Sequence, residues 1–91
     1  MNHTLKGKSK LLARVRRIQG QMQAVERALE EEIGCADVLQ LVASVRGAIS
    51  GLTAELIEDH VRLHLLDADA SAKERAAAGE ELIEVVRTYM R

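Results

Sequence analysis

The chain contains no Trp, no Phe and no Pro, and it has one Tyr and one Cys. Without large aromatic side chains, a core must be built from Leu, Val, Ile, Ala and Met, and 91 residues bury only a modest share of their surface. We therefore expect self-association to supply the missing burial. The single cysteine excludes a disulfide within the chain and leaves a free thiol, a bridge between chains or a metal ligand.

Length and composition predict a single domain over residues 1–91. No apolar run approaches the roughly 20 residues that a membrane span needs. The first ten residues, MNHTLKGKSK, are charged and lack the apolar stretch of a signal peptide. The sequence therefore predicts a cytoplasmic protein.

Apolar residues recur at helical spacing almost throughout, which predicts an all-α protein with three helices. The first helix is expected to begin near Thr4, which can cap it, and to stop at Gly34. The second helix is expected to run to about Leu65. The third is expected to begin directly after the segment DADA, where Ser71 and Glu74 have capping-box spacing. The apolar seam predicted for the second helix comprises Val38, Val42, Val45, Ile49, Leu52 and Leu56.

Positive charge is concentrated in the first helix. Residues 1–25 contain six basic side chains and no acidic one, so the remaining residues carry a net charge of −7 within a total of −1. A basic stripe at helical spacing comprises Lys6, Lys10, Arg14, Arg17 and Gln21. Because the stripe lacks the acidic neighbours that usually pair such residues, binding to DNA phosphates is favoured over a merely solvated face.

Four potential metal ligands are far apart in sequence. Cys35 and His60 would lie about 37 Å apart along one helix, so no single ion could touch both. His60 and His64 are four residues apart, which predicts that they lie side by side on one helical face. An antiparallel hairpin of the first two helices would bring His3 beside them, at the opposite end from Cys35. A two-fold antiparallel dimer would then bring Cys35 of one chain to the histidines of the other.

This arrangement predicts two identical sites per dimer, each with His3, Cys35, His60 and His64 as ligands. One thiolate and several imidazoles suit nickel(II), cobalt(II), zinc(II) or copper(II). Nothing in the sequence supplies a nucleophile together with an oriented base and an oxyanion donor, so we do not expect an enzyme.

The segments HTLKGKSKLLARVRRIQGQ, CADVLQLVASVRGAISGL and EDHVRLH resemble the CsoR/RcnR family of bacterial metal-responsive transcriptional repressors, without gaps and over essentially the full length. The resemblance implies an antiparallel four-helix-bundle dimer that assembles into a dimer-of-dimers tetramer. It also implies a repressor that binds operator DNA without a helix-turn-helix and releases it on binding its inducer. The positions that it implicates in DNA contact are Lys8, Lys10, Arg14, Arg17 and Gln19.

The ligand pattern is similar to that of the nickel/cobalt branch, which represses metal efflux genes. The copper sensors of the family have a cysteine where this chain has His64, and the formaldehyde sensors have a proline where it has Asn2. The expected inducer is therefore Ni(II) or Co(II), and a zinc or copper response stays open.

Three other functions remain open from the sequence alone. A repressor of the same family could respond to formaldehyde or another thiol-reactive species at Cys35. A metal buffer or chaperone would have the metal site without DNA binding, and a plain helical interaction module would have neither.

Overall fold

The computed structural model describes residues 7–89 of the chain. Helix α1 is Lys8–Glu30, helix α2 is Cys35–His60, a π-helical turn is Val61–Leu65, and helix α3 is Ala72–Tyr89. No strand occurs among the described residues, and the expectation of an all-α chain with three helices is confirmed. These residues form two compact units, 7–54 and 55–89.

Helix α1 begins at Lys8 because the backbone of Gly7 is left-handed, with φ 70° and ψ 33°. Glycine adopts this conformation without a steric penalty. Because Gly7 is not in the right-handed helical conformation, α1 begins at the next residue. The start expected near Thr4 is therefore corrected to Lys8, and the proposed cap itself lies outside the described residues.

The end of α1 is a Schellman motif in which Glu32 is the residue with the left-handed backbone conformation. The amide of Ile33 donates to the carbonyl oxygen of Ala28 at 3.1 Å, and that of Glu32 donates to Leu29 at 3.2 Å. Glu32 has a φ of 55°. The predicted stop at Gly34 is therefore wrong in position: the carbonyl of Gly34 accepts the first hydrogen bonds of α2, from Asp37 and Val38.

In unit 7–54, α1 and the first part of α2 form an antiparallel hairpin. Its core comprises Leu11, Val25, Ala28 and Val45, all buried. Near the open end, Nη1 of Arg14 lies 2.8 Å from the position that a Cβ of Gly51 would take. This pairing of an early residue of α1 with a late residue of α2 is what the sequence predicted for an antiparallel hairpin of these two helices.

Helix α2 has a second apolar face that α1 does not cover. Val45 is 5 % exposed, whereas Leu39, Val42 and Ile49 are 62 %, 43 % and 47 % exposed. The predicted seam had combined these two faces into one. Helix α1 likewise leaves Leu12, Val15, Met22 and Leu29 exposed.

The continuous segment Cys35–Leu65 is, by length and composition alone, apolar enough to cross a membrane. This corrects the statement that no apolar stretch reaches that length. Within unit 7–54, one face of this segment packs on α1 and another is exposed, which is the pattern of a helix that joins a bundle.

In unit 55–89, the π-helical turn is closed by a hydrogen bond from the amide of Leu66 to the carbonyl of Val61, at 2.9 Å. The capping box predicted for α3 is confirmed: the amide of Ser71 donates to Oε1 of Glu74 at 2.7 Å, and the amide of Glu74 donates to Oγ of Ser71 at 3.1 Å. Arg75 Nη2 donates to the carbonyl of Asp67 at 3.0 Å, which ties the connecting loop to α3.

Candidate metal centre and nucleic-acid interface

His60 and His64 lie side by side where α2 passes into the π-helical turn. Their ring centroids are 5.1 Å apart and the ring planes are inclined by 55°. His60 is the last residue of α2 and His64 is the fourth residue of the turn. The structure thus brings together the two imidazoles that the sequence analysis paired.

The His60 ring is oriented by α3. Its Nε2 lies 3.0 Å from the carbonyl oxygen of Ala78 and 3.8 Å from Oε1 of Glu81. A carbonyl oxygen can only accept, so Nε2 donates that hydrogen bond. In the neutral ring this leaves the lone pair of Nδ1, which is the form in which histidine binds a metal ion.

An acidic cavity of about 500 Å³ adjoins these histidines. Its ionisable lining residues are His64 and four carboxylic acids, Asp67, Asp69, Glu74 and Glu81. Two of the acids also make hydrogen bonds to the nearby backbone. The carboxylate of Asp67 accepts a hydrogen bond from the amide of Asp69, and that of Glu74 accepts one from the amide of Ser71. The charge of this surface favours a cation.

Of the other two predicted ligands, the structure describes only Cys35. Cys35 is the first residue of α2, with an exposed free thiol, and His3 lies outside the described residues. Among residues 7–89 of one chain, no three His, Cys, Asp or Glu side chains are arranged to hold a metal ion. The two imidazoles fit a borderline metal such as nickel(II) or cobalt(II), but one described chain supplies too few ligands for a complete site.

A basic cavity of about 220 Å³ lies on α1, lined by Lys10, Ala13, Arg14 and Arg17. Lys10 and Arg17 are exposed, whereas Arg14 is half-buried. The residues occur at helical spacings of four and three, so their cationic ends share one face of α1. A surface of this charge and size suits a phosphate group of a polyanion.

Two residues implicated in DNA contact lie elsewhere on α1. Lys8 and Gln19 are exposed, do not line the basic cavity, and are eleven residues apart, which places them on one face about three turns apart. The same face contains the exposed apolar residues Leu12 and Val15. The predicted DNA-contacting set is therefore divided between two faces of the helix.

Gln21 does not belong to the exposed stripe, although its spacing had placed it there. It is half-buried, and its Oε1 has no hydrogen-bond donor within the described part of the chain. On α2, the lack of a side chain at Gly51 admits Arg14.

Residues 7–88 match the family model described as metal-sensitive transcriptional repressor. The chain belongs to this family. Members are transcriptional repressors rather than enzymes, which agrees with the expectation from the sequence, and the resemblance to the CsoR/RcnR family is confirmed.

Two curated relatives cover the chain from end to end. The chain is 38% identical over 91 residues to the transcriptional repressor RcnR of Citrobacter koseri, and the match covers 100% of both proteins. It is 53% identical, again over 91 residues and 100% of both, to an uncharacterised protein in the bioA 5′ region of Serratia marcescens.

A solved structure also matches. A histidine-substituted variant of the formaldehyde-responsive regulator FrmR from Salmonella enterica serovar Typhimurium is similar with a TM-score of 0.88 and 41% identity. The match covers 97% of this chain and 99% of that one. A regulator described as formaldehyde-responsive thus has the same fold as this chain.

Proposed function

We propose that this protein represses transcription by binding operator DNA in its metal-free state, and that Ni(II) or Co(II) releases it and so derepresses a metal efflux gene. The observation that carries the proposal is the pairing of His60 and His64, with ring centroids 5.1 Å apart, in a member of this repressor family. The similarity to RcnR favours nickel and cobalt over other metals. The repressor acts in the cytoplasm, where its operator lies, and residues 1–91 serve as one domain.

The complete metal site is shared between two copies of the chain. The exposed residues Leu39, Val42 and Ile49 follow the heptad spacing of an antiparallel helix pair. In a two-fold pairing through this face, Leu39 would lie opposite the partner's Leu56, and the same register would put Cys35 opposite the partner's His60. The thiolate of one copy would then join the imidazoles of the other, with His3 as a further ligand.

The dimer formed in this way is a four-helix bundle, and two dimers form the tetramer. Self-association is supported by the apolar surface that the single chain leaves uncovered, on α1 as well as on α2. It would also supply the burial that a chain without Phe or Trp cannot reach alone.

DNA is held through its phosphates. Lys10, Arg14 and Arg17 around the basic cavity are the principal contacts, and Lys8 and Gln19, on the other face of α1, make further contacts with DNA. Contacts of this kind make the affinity fall steeply with salt, by about 0.9 in log affinity per log salt for each phosphate.

Release follows if the metal-bound state has a lower affinity for DNA, and such coupling is typically about 1 to 3 kcal/mol. His3 precedes the first lysines of the basic segment by only a few residues. His3 held at the metal site would draw the start of this segment away from the phosphates. The lysines nearest to it, Lys6 and Lys8, would be displaced most.

Cobalt(II) absorption tests the ligand set directly. Ligation by Cys35 gives a sulfur-to-cobalt charge-transfer band in the wild-type protein, and Cys35→Ser abolishes it while the protein remains folded and binds DNA. A Cys35→Ser spectrum identical to that of the wild type would contradict the proposed site. Competition titrations with zinc and copper then rank the metals.

A second candidate inducer is formaldehyde or a related thiol-reactive compound. It is favoured by the exposed thiol of Cys35 and by the similarity to FrmR. Mass spectrometry of metal-free protein treated with formaldehyde decides between the two, because modification of Cys35 accompanied by release of DNA would support the second candidate.

A further inference from the structure

Gly51 on α2 lies directly against the guanidinium of Arg14 on α1. A Cβ at position 51 would be 2.8 Å from Nη1 and 3.9 Å from Cζ of Arg14. Real Cβ atoms essentially never approach another heavy atom within 3.0 Å, so a side chain at this position would require the guanidinium, the flexible end of the Arg14 side chain, to shift. Gly47, one turn earlier on the same helix, has nothing within 4 Å of the corresponding position.

Glycine inside a helix is less favourable than alanine, because the unfolded backbone loses more conformational freedom. Position 51 therefore has an intrinsically unfavourable residue at the point where Arg14 needs the space. Both residues belong to unit 7–54, so the contact is part of the hairpin itself.

Among the three cationic residues of the basic cavity, Arg14 is the least exposed to solvent. It is half-buried, while Lys10 and Arg17 are exposed. A planar guanidinium that is already oriented loses less freedom when it binds a phosphate than a solvated side chain does.

We propose that Gly51 is a positioning residue for DNA binding: the space it leaves seats the Arg14 guanidinium at the basic cavity, oriented toward a DNA phosphate. The inference rests on the proposed function, because it takes Arg14 as a phosphate contact. It deepens that function by assigning a role in DNA affinity to a residue of α2 that does not itself contact DNA.

The test compares Gly51→Ala with Gly47→Ala by fluorescence anisotropy on a double-stranded DNA fragment from upstream of the gene that encodes this chain, over a series of salt concentrations. Gly51→Ala should weaken binding about fivefold, less than the loss of a whole charge-assisted hydrogen bond. It should also lower the slope of log affinity against log salt by up to about 0.9, the value for one phosphate contact. Gly47→Ala makes the same chemical change on the same helix and should leave both quantities unchanged.

A double-mutant cycle shows whether the effect passes through Arg14. In an Arg14→Ala background, Gly51→Ala should cause no further loss of affinity, because the group that it displaces is absent. An Arg14→Lys background retains a cation without the guanidinium, and there the effect of Gly51→Ala should also vanish. Circular dichroism and size-exclusion chromatography establish that each variant is folded and assembled as the wild type.

The inference is overturned if Gly51→Ala binds DNA as tightly as the wild type or more tightly, or if it weakens binding equally in the Arg14→Ala background. Loss of fold in Gly51→Ala that Arg14→Ala does not rescue would also overturn it, since Gly51 would then be needed for other packing. Failure of the proposed function itself looks different, because the wild type would then show no salt-dependent DNA binding.

Discussion

The two units of the chain have opposite charge. Residues 7–54 contain seven basic and five acidic side chains, whereas residues 55–89 contain four basic and nine acidic ones. The basic cavity of about 220 Å³ belongs to the first unit, and the acidic cavity of about 500 Å³ belongs to the second. The chain thus separates a surface suited to a polyanion from one suited to a cation.

This separation limits how a metal ion could control DNA binding. The His60 and His64 pair shares no residue with the basic cavity, so under the proposed function metal and DNA would not compete for the same side chains. Coupling must instead pass through an element that both sites use. Helix α2 is one such element, because it begins at Cys35, contains Gly51 and ends at His60.

The two units also orient their functional side chains by different means. The guanidinium of Arg14 occupies the space that is left because Gly51 has no side chain. His60 is positioned by a hydrogen bond from its ring to the carbonyl of Ala78 on α3. A change at Arg14 should therefore leave metal binding intact, and a change at His64 should leave metal-free DNA binding intact, which the following variants test.

The largest effect is expected from the metal ligands. Cys35→Ser and His64→Ala should each abolish release of DNA by nickel while leaving metal-free DNA affinity within about twofold of the wild type, since neither residue lines the basic cavity. If sites are shared between protomers, refolding the two variants together restores one of the two sites in each mixed dimer. Since about half of the dimers in an equal mixture are mixed, the mixture should have about one quarter of the wild-type number of sites. Nickel-binding stoichiometry of the mixture measures this, and a mixture that binds no more than either variant alone would exclude the shared site.

A loss of tenfold or more in DNA affinity is expected for Arg14→Ala, because a charge-assisted hydrogen bond contributes about 1.5 to 3 kcal/mol. The matched control is Arg16→Ala, which removes the same charge from an exposed residue about 200° around α1 from Arg14. Anisotropy should show the larger loss for Arg14→Ala, with cobalt binding unchanged in both. Equal losses would indicate that net charge alone, and not the basic cavity, determines affinity.

A smaller effect is expected from His3→Ala. This variant should still bind nickel through Cys35, His60 and His64, yet nickel should lower its DNA affinity by less than about fivefold, the lower end of typical coupling. Calorimetry measures the binding, and anisotropy measures the release. Release as complete as in the wild type would refute the role of His3.

The smallest effect is expected from the cap of α3. Ser71→Ala should lower the free energy of unfolding by about 1 kcal/mol, because the amide of Glu74 loses its acceptor. Thr88→Ala is the control: it removes a hydroxyl that donates to the carbonyl of Glu84 at 3.0 Å, and such hydrogen bonds within a helix add little stability. Urea unfolding monitored by circular dichroism separates the two, and equal destabilisation would contradict the capping role.

Sequence reasoning succeeded where the signal is local. The capping box of Ser71 and Glu74 specifies its own hydrogen bonds, and the structure forms them. The spacing of four between His60 and His64 predicted their proximity in the same way. The helix stop at Gly34 was misplaced because Glu32 takes the left-handed conformation that glycine is usually expected to take.

Features that depend on a second segment could not be read from spacing. Helix α2 has two apolar faces, and periodicity alone does not tell which one packs on α1 and which is exposed. The carbonyl of Ala78 that orients His60 is a backbone atom and leaves no trace in the sequence. The π-helical turn at Val61–Leu65 was also not predicted, because widening one turn barely alters an apolar pattern.

The most direct test of metal-controlled repression is anisotropy of the protein on DNA from upstream of its own gene, with nickel added at constant salt and His64→Ala titrated in parallel. The expected result is tight binding by both proteins without metal, and release of the wild type alone as nickel saturates it. Binding of the wild type that survives saturating nickel and cobalt would contradict the proposed metal response.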